Sequence, residues 1–251
     1  MMRDINSEIL TLLTRYHGDT KRILKENKKL EYLYALSPLR ENVLEWFSFD
    51  PSWEVLQLGA DFGALTGLLL GKCRQVTVAE KNAGAREVVR TQYESAENLL
   101  VVTPEEIPEE KRFDCITMIG TLKTDIPAEG QVREAAARLC SGGALLLAVQ
   151  NRYGMKFLSG TPRTEASMTR EELKKLLPGG RFYYPMPDYK TASVIYSDGY
   201  LPQKGDFAGM PALYDAPKYQ LTDMGESLEQ AVADGKFAEF ANSYLVVYTA
   251  P

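Results

Sequence analysis

Residues 53–82 read WEVLQLGADFGALTGLLLGKCRQVTVAEKN. An apolar run, Val55, Leu56 and Leu58, leads into Gly59-Ala60-Asp61-Phe62-Gly63. A helix-like run follows from Ala64 to Leu70, then a second strand-like run, Gln75 to Ala79, which ends on Glu80. Strand, glycine turn, helix, strand and acid is the order in which a doubly wound α/β domain holds a nucleotide-like ligand. The glycine turn lets backbone approach the ligand, and an acid about 20 residues later accepts from ribose hydroxyls.

Outward from this stretch, the strand-like runs are Val55–Leu58, Gln75–Ala79, Leu99–Val102, Phe113–Ile119 and Ala144–Gln150. Helical patterns separate them at Ala64–Leu70, Ala83–Tyr93 and Gln131–Leu139, the last stopped by Ser141-Gly142-Gly143. Such alternation predicts a parallel sheet covered on both faces. Before it, residues 1–47 read as helical, with a break at His17-Gly18, a second segment Thr20–Leu36, and a third helix opened by Ser37 as cap and Pro38 in its first turn. This places an N-terminal helical extension at 1–50 and an α/β domain at 51–251. Within that domain, 151–220 forms an insert on the substrate side. In the insert, Thr169 and Glu172 have capping-box spacing, Arg181–Tyr184 and Val194–Tyr196 are strand-like, and a last helix, Asp223–Ala233, precedes a last strand, Ser243–Tyr248.

The bulk composition narrows the function classes. The 251 residues carry a net charge of −5, and hydrophobic residues make up 45%, as in a globular protein. The one basic cluster, Lys21, Arg22, Lys25, Lys28 and Lys29, is interleaved with Glu26 and Glu31, which reads as a solvated helix face, so no nucleic-acid partner is expected. Three separated cysteines, Cys73, Cys115 and Cys140, have no metal-ligand spacing and read as free thiols, so no metal is expected. Neither a signal-peptide core nor a run long enough to span a membrane is found, and a soluble cytoplasmic protein is expected.

VLQLGADFGALTG, VTVAEKN, FDCITMIGTL and LCSGGALLLAVQNR together resemble the class I S-adenosylmethionine-dependent methyltransferases. GGALLLAVQNRYGMKFLSG and FYYPMPDYKTASVIYSDGYLP are similar to a narrower bacterial group of methyltransferase domains associated with surface-polysaccharide assembly. The resemblance implies a Rossmann-like sheet of seven strands in the order 3-2-1-4-5-7-6, the last antiparallel. It implies S-adenosylmethionine as cofactor and methyl transfer to a small-molecule or glycan acceptor, at oxygen. The cofactor residues carried over are Gln57, Gly59, Ala60, Asp61, Gly63, Glu80, Lys81, Glu105, Ile119, Gly120 and Thr121. Asn151, Arg152 and Tyr153 are the catalytic candidates, and Arg152, Tyr184, Asp188 and Tyr189 the substrate-binding ones.

The chain departs from the family pattern in four places. Gln57 replaces the first-strand acid, Asp61 replaces the middle glycine of the loop, Gln150 stands where the narrower group has an acid, and no Asp-His pair follows Gly160. Asp61 can take over the missing acid's role or obstruct the cofactor. These losses give a second reading, a non-catalytic relative serving as partner or scaffold with weak or lost cofactor binding. A homo- or hetero-oligomer is compatible with either reading, with the N-terminal helices as a cap or a contact. An RNA adenine dimethylase is set aside because IGTL occupies the place of that family's Asn-Leu/Pro-Pro-Tyr/Phe segment, and a dehydrogenase because the loop is not GxGxxG.

Overall fold

The computed structural model describes residues 5–163, 165–210 and 221–251. The expected start of the helical region at 1–4 and residues 211–220 of the expected insert lie outside the described residues. The chain forms two compact units, one running to Thr117 and taking in Arg138–Gly143, the other made of Met118–Ala137 and Ala144–Pro251.

The first unit opens with helices α1 (Ile5–Arg15), α2 (Thr20–Glu26) and α3 (Leu30–Leu36). One helix was expected over Thr20–Leu36. It breaks because Asn27 turns extended and closes α2 twice, its backbone N–H and its side-chain amide both donating to the Ile23 carbonyl, at 2.9 and 3.0 Å. His17 and Gly18 make the earlier break with left-handed backbone. Ser37 caps a 3-10 turn, Pro38–Glu41, that runs into the short α4 (Asn42–Glu45). The apolar faces of α1, α2 and α3 close over Ile9, Leu13, Ile23, Tyr32 and Leu36. Val88 joins this cluster, and the partly buried Phe62 packs against it.

The strands are β1 (Glu54–Leu58), β2 (Gln75–Ala79), β3 (Leu99–Val102), β4 (Phe113–Ile119), β5 (Leu139–Asn151), β6 (Ser167–Met168), β7 (Arg181–Met186), β8 (Val194–Ser197) and β9 (Ser243–Thr249). The remaining helices are α5 (Thr66–Lys72), α6 (Ala83–Gln92), α7 (Ala128–Ala137), α8 (Met155–Leu158), α9 (Arg170–Leu176), α10 (Met224–Ala233) and α11 (Phe237–Phe240). The sheet order is β3-β2-β1-β4-β5-β9-β7-β8, with β6 paired to β5 off this path. β1 runs parallel to β2 and β4, and β9 antiparallel to β5 and β7.

The expected seven strands are thus corrected to nine. β8 folds back on β7 as an antiparallel pair, Tyr184 opposite Tyr196, and so extends the sheet with a run expected inside the insert. β6 is a two-residue pairing to Gln150 and Asn151 that no local pattern marks. β5 also begins earlier than expected, because Ser141-Gly142-Gly143 lies inside the strand. A Cβ on Gly143 would stand 3.0 Å from the Asp114 carbonyl oxygen, so that glycine serves a close backbone approach.

The second unit holds a group of aromatic rings. Tyr184 packs on Phe237 and Tyr244 with centroids 5.5 and 6.0 Å apart, and Tyr196 meets Phe207 and Phe237 edge-on. Among the described residues no helix is long and apolar enough to cross a membrane, and no group of residues has metal-binding geometry. Cys73 and Cys115 are buried free thiols and Cys140 is half-buried. Burial pushes Cys73 up to about 11 and Cys115 higher still, which leaves both unreactive.

Candidate active site

The glycine loop bends through a run of left-handed residues: Gly59 at φ +83°, Asp61 at +42°, Phe62 at +56° and Gly63 at +84°. For Asp61 and Phe62 this costs about 1–2 kcal/mol each, so other contacts must hold the turn. Gly59 donates to the Ala79 carbonyl at 2.9 Å, and Gly63 to the Ala60 carbonyl at 2.7 Å. Tyr93, the C-cap of α6, donates its hydroxyl to the Gly63 carbonyl at 2.8 Å, and its ring lies where a Gly63 Cβ would stand, 2.9 Å from Cε2. Asp61 forms an ion pair with the buried Arg40 of the 3-10 turn.

Gln57 sits beneath the loop, 2% exposed. Its amide nitrogen donates to the Gly59 and Ala60 carbonyls at 3.2 and 3.4 Å, and its amide oxygen accepts from Thr66 at 2.9 Å. A carboxylate at this place could accept from Thr66 but could not donate to the carbonyls. The amide is therefore suited to bracing the loop from below. Glu80 braces it from β2, one carboxylate oxygen accepting from Ala60 N–H at 3.0 Å and the other from Asn82 N–H at 2.7 Å. Each oxygen keeps a second lone pair for another donor. Lys81 pairs with Glu105 at 2.6 Å, both side chains exposed, and this hydrogen bond holds the Glu105 carboxyl below its ordinary range.

In the second unit, Ile119 is buried at the end of β4. Gly120, at φ +70°, donates to the Ala148 carbonyl at 2.9 Å. Tyr189 lies against it, and a Gly120 Cβ would come 2.8 Å from the Tyr189 ring, so only glycine fits. The Thr121 hydroxyl oxygen is buried without a hydrogen-bond partner.

Tyr189 leads to a polar cluster. Its hydroxyl donates to Glu165 at 2.8 Å, the Gln150 amide donates to the same carboxylate at 3.1 Å, and Lys190 forms an ion pair with it. Burial alone would push the Glu165 carboxyl up. The Lys190 charge, its hydrogen bond and those of Tyr189 and Gln150 outweigh burial and hold it below its ordinary value. Because the Gln150 nitrogen faces Glu165, its oxygen faces the other way, buried and unpartnered. It lines a small cleft with Gly120, Leu122, Val149, Glu165 and Tyr189. The acid missing at position 150 thus has a neighbour in space at position 165. Asp188 turns instead to Lys156, an almost fully buried pair at 2.5 Å.

The other candidates separate from this cluster. Asn151 is fully committed, donating to the Glu239 and Ala241 carbonyls at 2.7 Å each and accepting from Tyr153 N–H. Arg152 is held by Glu172 at 2.8 Å and by the Ser167 carbonyl. Tyr153 is 53% exposed. Tyr184 is buried in the aromatic group, its hydroxyl donating to Asp198 and accepting from Arg170 at 3.2 Å, and burial pushes its phenol far up. Arg40, Tyr93, Lys156, Glu165 and Lys190 are members that sequence reasoning missed. Of these only Glu165 leaves a trace, as the lone acid between Gly160 and Arg170.

No family model matches the sequence, and no curated protein matches it. Solved structures do. A chain of the Haloferax volcanii complex between the Trm112 methyltransferase activator and a methyltransferase aligns over 100% of both chains, with 14% identity and a TM-score of 0.57. An S-adenosylmethionine-dependent methyltransferase from Thermotoga maritima aligns over 97% of this chain and 100% of its own, at 15% identity and a TM-score of 0.54. The fold is that of the class I S-adenosylmethionine-dependent methyltransferases. The N-methyltransferase NodS from Bradyrhizobium japonicum extends the likeness, with 86% of this chain and 98% of its own aligned, 11% identity and a TM-score of 0.53. At such identities the likeness to these methyltransferases is one of fold, and it lends no support to a non-catalytic role.

Proposed function

We propose that this chain is an S-adenosylmethionine-dependent methyltransferase acting on a hydroxyl of a small molecule or glycan. The observation that carries the reading is Glu80, placed beside a left-handed glycine loop with acceptor capacity to spare on both oxygens. That capacity suits the two hydroxyl donors of a ribose. Such a ligand would run along the half-buried backbone at Gly59, with Lys81 and Glu105 flanking it toward the base. S-adenosylmethionine, when bound, supplies a methyl group already activated by its sulfonium, so the protein's work is to position, to desolvate and to handle a proton.

The second unit supports the choice of a hydroxyl. Glu165 is neutralised by Lys190, so the cleft beside Gln150 offers an acceptor without excess negative charge. An ammonium there would meet the Lys190 charge, whereas an uncharged hydroxyl that reaches the cleft meets the unpartnered Gln150 oxygen at no such cost. The glycan class rests on the sequence resemblance to surface-polysaccharide methyltransferase domains, and the described residues around Gln150, Glu165 and Tyr189 supply the acceptor side. A partner subunit belongs to the proposal as well, since the archaeal methyltransferase of like fold is solved with an activator.

Calorimetric titration with S-adenosylmethionine and S-adenosylhomocysteine tests the reading. Micromolar binding, about −8 kcal/mol, supports it. Absence of binding at millimolar ligand overturns it. Labelled methyl transfer to hydroxyl-bearing sugars and not to primary amines then tests the acceptor.

A further inference from the structure

Gln150 is 2% exposed, and its amide is divided between two surroundings. Its nitrogen donates to Glu165 at 3.1 Å, while its oxygen lines the cleft with Gly120, Leu122 and Tyr189 and has no hydrogen-bond partner. The two ends of a carboxamide have almost the same shape, so the neighbours decide which end faces where. Here the decision falls to Glu165. An ionised carboxylate only accepts, so it takes the nitrogen and turns the oxygen into the cleft. Glu165 is itself fixed from two sides, by the Tyr189 hydroxyl at 2.8 Å and by the Lys190 ion pair. Both of those residues are anchored through their backbone, Tyr189 N–H donating to the Ser243 hydroxyl at 3.1 Å and Lys190 N–H to Asp188 at 3.0 Å.

A buried acceptor left open at a cleft is a place for a donor. The cleft admits a group about the size of a water molecule, which suits a hydroxyl on an unbranched carbon and not a crowded ring hydroxyl. A hydroxyl that gives its hydrogen to Gln150 keeps both lone pairs of its oxygen, the pairs with which it attacks a methyl group. Facing the amide nitrogen instead, it would have one of them occupied. We propose that this cleft selects a primary hydroxyl, such as the hydroxymethyl arm of a sugar, and that Glu165 is the positioning residue that sets the selection by turning the Gln150 oxygen toward it. This rests on the reading of the cleft as the acceptor side.

The test is a magnetic-resonance titration of protein labelled at its glutamine side-chain nitrogens, without cofactor. It follows the side-chain amide signals of Gln150, which Gln150→Leu identifies by their loss. Three probes are used: methanol, acetonitrile, which is as slim but only accepts, and tert-butanol, whose hydroxyl sits on a branched carbon. Methanol should give a saturable shift, half-complete between about 10 mM and about 1 M, as the ceiling for so small a ligand allows. Acetonitrile and tert-butanol should each bind at least about tenfold more weakly, the first for want of a donor and the second for want of room. Glu165→Leu should bring methanol and acetonitrile within about threefold of each other. The exchange Glu165→Lys/Lys190→Glu, which keeps an ion pair but puts a donor opposite Gln150, should do the same or favour acetonitrile, and covers the case in which Glu165→Leu does not fold. A wild type in which methanol gives no saturable shift, or in which acetonitrile or tert-butanol matches it, overturns the proposal, and so does either variant if it keeps the wild-type gap. None of these outcomes depends on S-adenosylmethionine, so a failure here leaves cofactor binding as it stands. A protein that shows the expected pattern yet binds no S-adenosylmethionine overturns only the methyl-transfer reading.

Discussion

The loop at Gly59–Gly63 and the cluster around Glu165 both hold carboxylates under partial cover, by different means. In the loop, Glu80 is met mainly by backbone N–H groups, and the shape is set by four left-handed residues in a short span. In the cluster, side chains meet side chains: Lys190 and Tyr189 on Glu165, Gln150 on Glu165, Lys156 on Asp188. The first region is organised by main-chain conformation and the second by charge. Glycines should therefore be the sensitive positions in one, and ionisable groups in the other.

Lys156→Met should give the largest effect. It leaves Asp188 buried without its cation and should cost about 3–5 kcal/mol in urea unfolding. The double variant Lys156→Met/Asp188→Leu should recover most of that loss, and failure to recover would show that more than charge holds the cluster. Next comes Gly63→Ala, where a methyl group at φ +84° meets the Tyr93 ring. A loss of about 2–3 kcal/mol in thermal unfolding is expected, while Gly71→Ala in α5, with open space around it, should be neutral or more stable by up to about 1 kcal/mol. Equal responses at the two glycines would erase the contrast drawn for the loop.

Glu80→Gln should cost about 1 kcal/mol of stability and weaken S-adenosylhomocysteine about tenfold, because an amide accepts with one oxygen and loses the charge-assisted part. The smallest effect is a pH effect. Glu165 has its folded-state pKa lowered below the ordinary 4.5. Its contribution is fully present above that value and is lost as the pH falls through the lower folded value. Glu165→Gln should thus flatten the stability loss on acidification below about pH 4.5 and change little at neutral pH. A steeper acid limb in the variant would contradict the assignment of Lys190 as its partner.

Sequence legibility followed the same division. β1, β2, β3 and β4 were readable almost to the residue, because a buried parallel strand is a local apolar run bounded by turn residues. The placement of Glu80 at the end of β2 was readable for the same reason. The start of β5 was not, since Gly143 answers to the Asp114 carbonyl, nearly thirty positions away in sequence (about that many by simple spacing), and a glycine pattern alone reads as a stop. Nor was the break at Asn27, where a side chain competes with the helix for its own carbonyl. Of the ionic partners, none was readable. Arg40 and Asp61, Lys156 and Asp188, Glu165 and Lys190 find one another only once the chain is folded. Tyr184 and Tyr189 illustrate the limit within one motif: a buried residue of β7 and a loop residue five positions on enter different clusters.

Phe62 carries a consequence for how this protein can change over time. Its side chain packs against the cluster of Ile9, Leu13, Ile23 and Leu36 while its backbone forms the middle of the glycine loop. The first three helices therefore act as a mould for a turn that begins some twenty residues after they end. Drift among their apolar positions can reshape the loop without altering any residue of the loop itself. A lineage could thus adjust this loop by revising its supports, and a homologue lacking those helices would need a different residue at position 62 to keep the same turn.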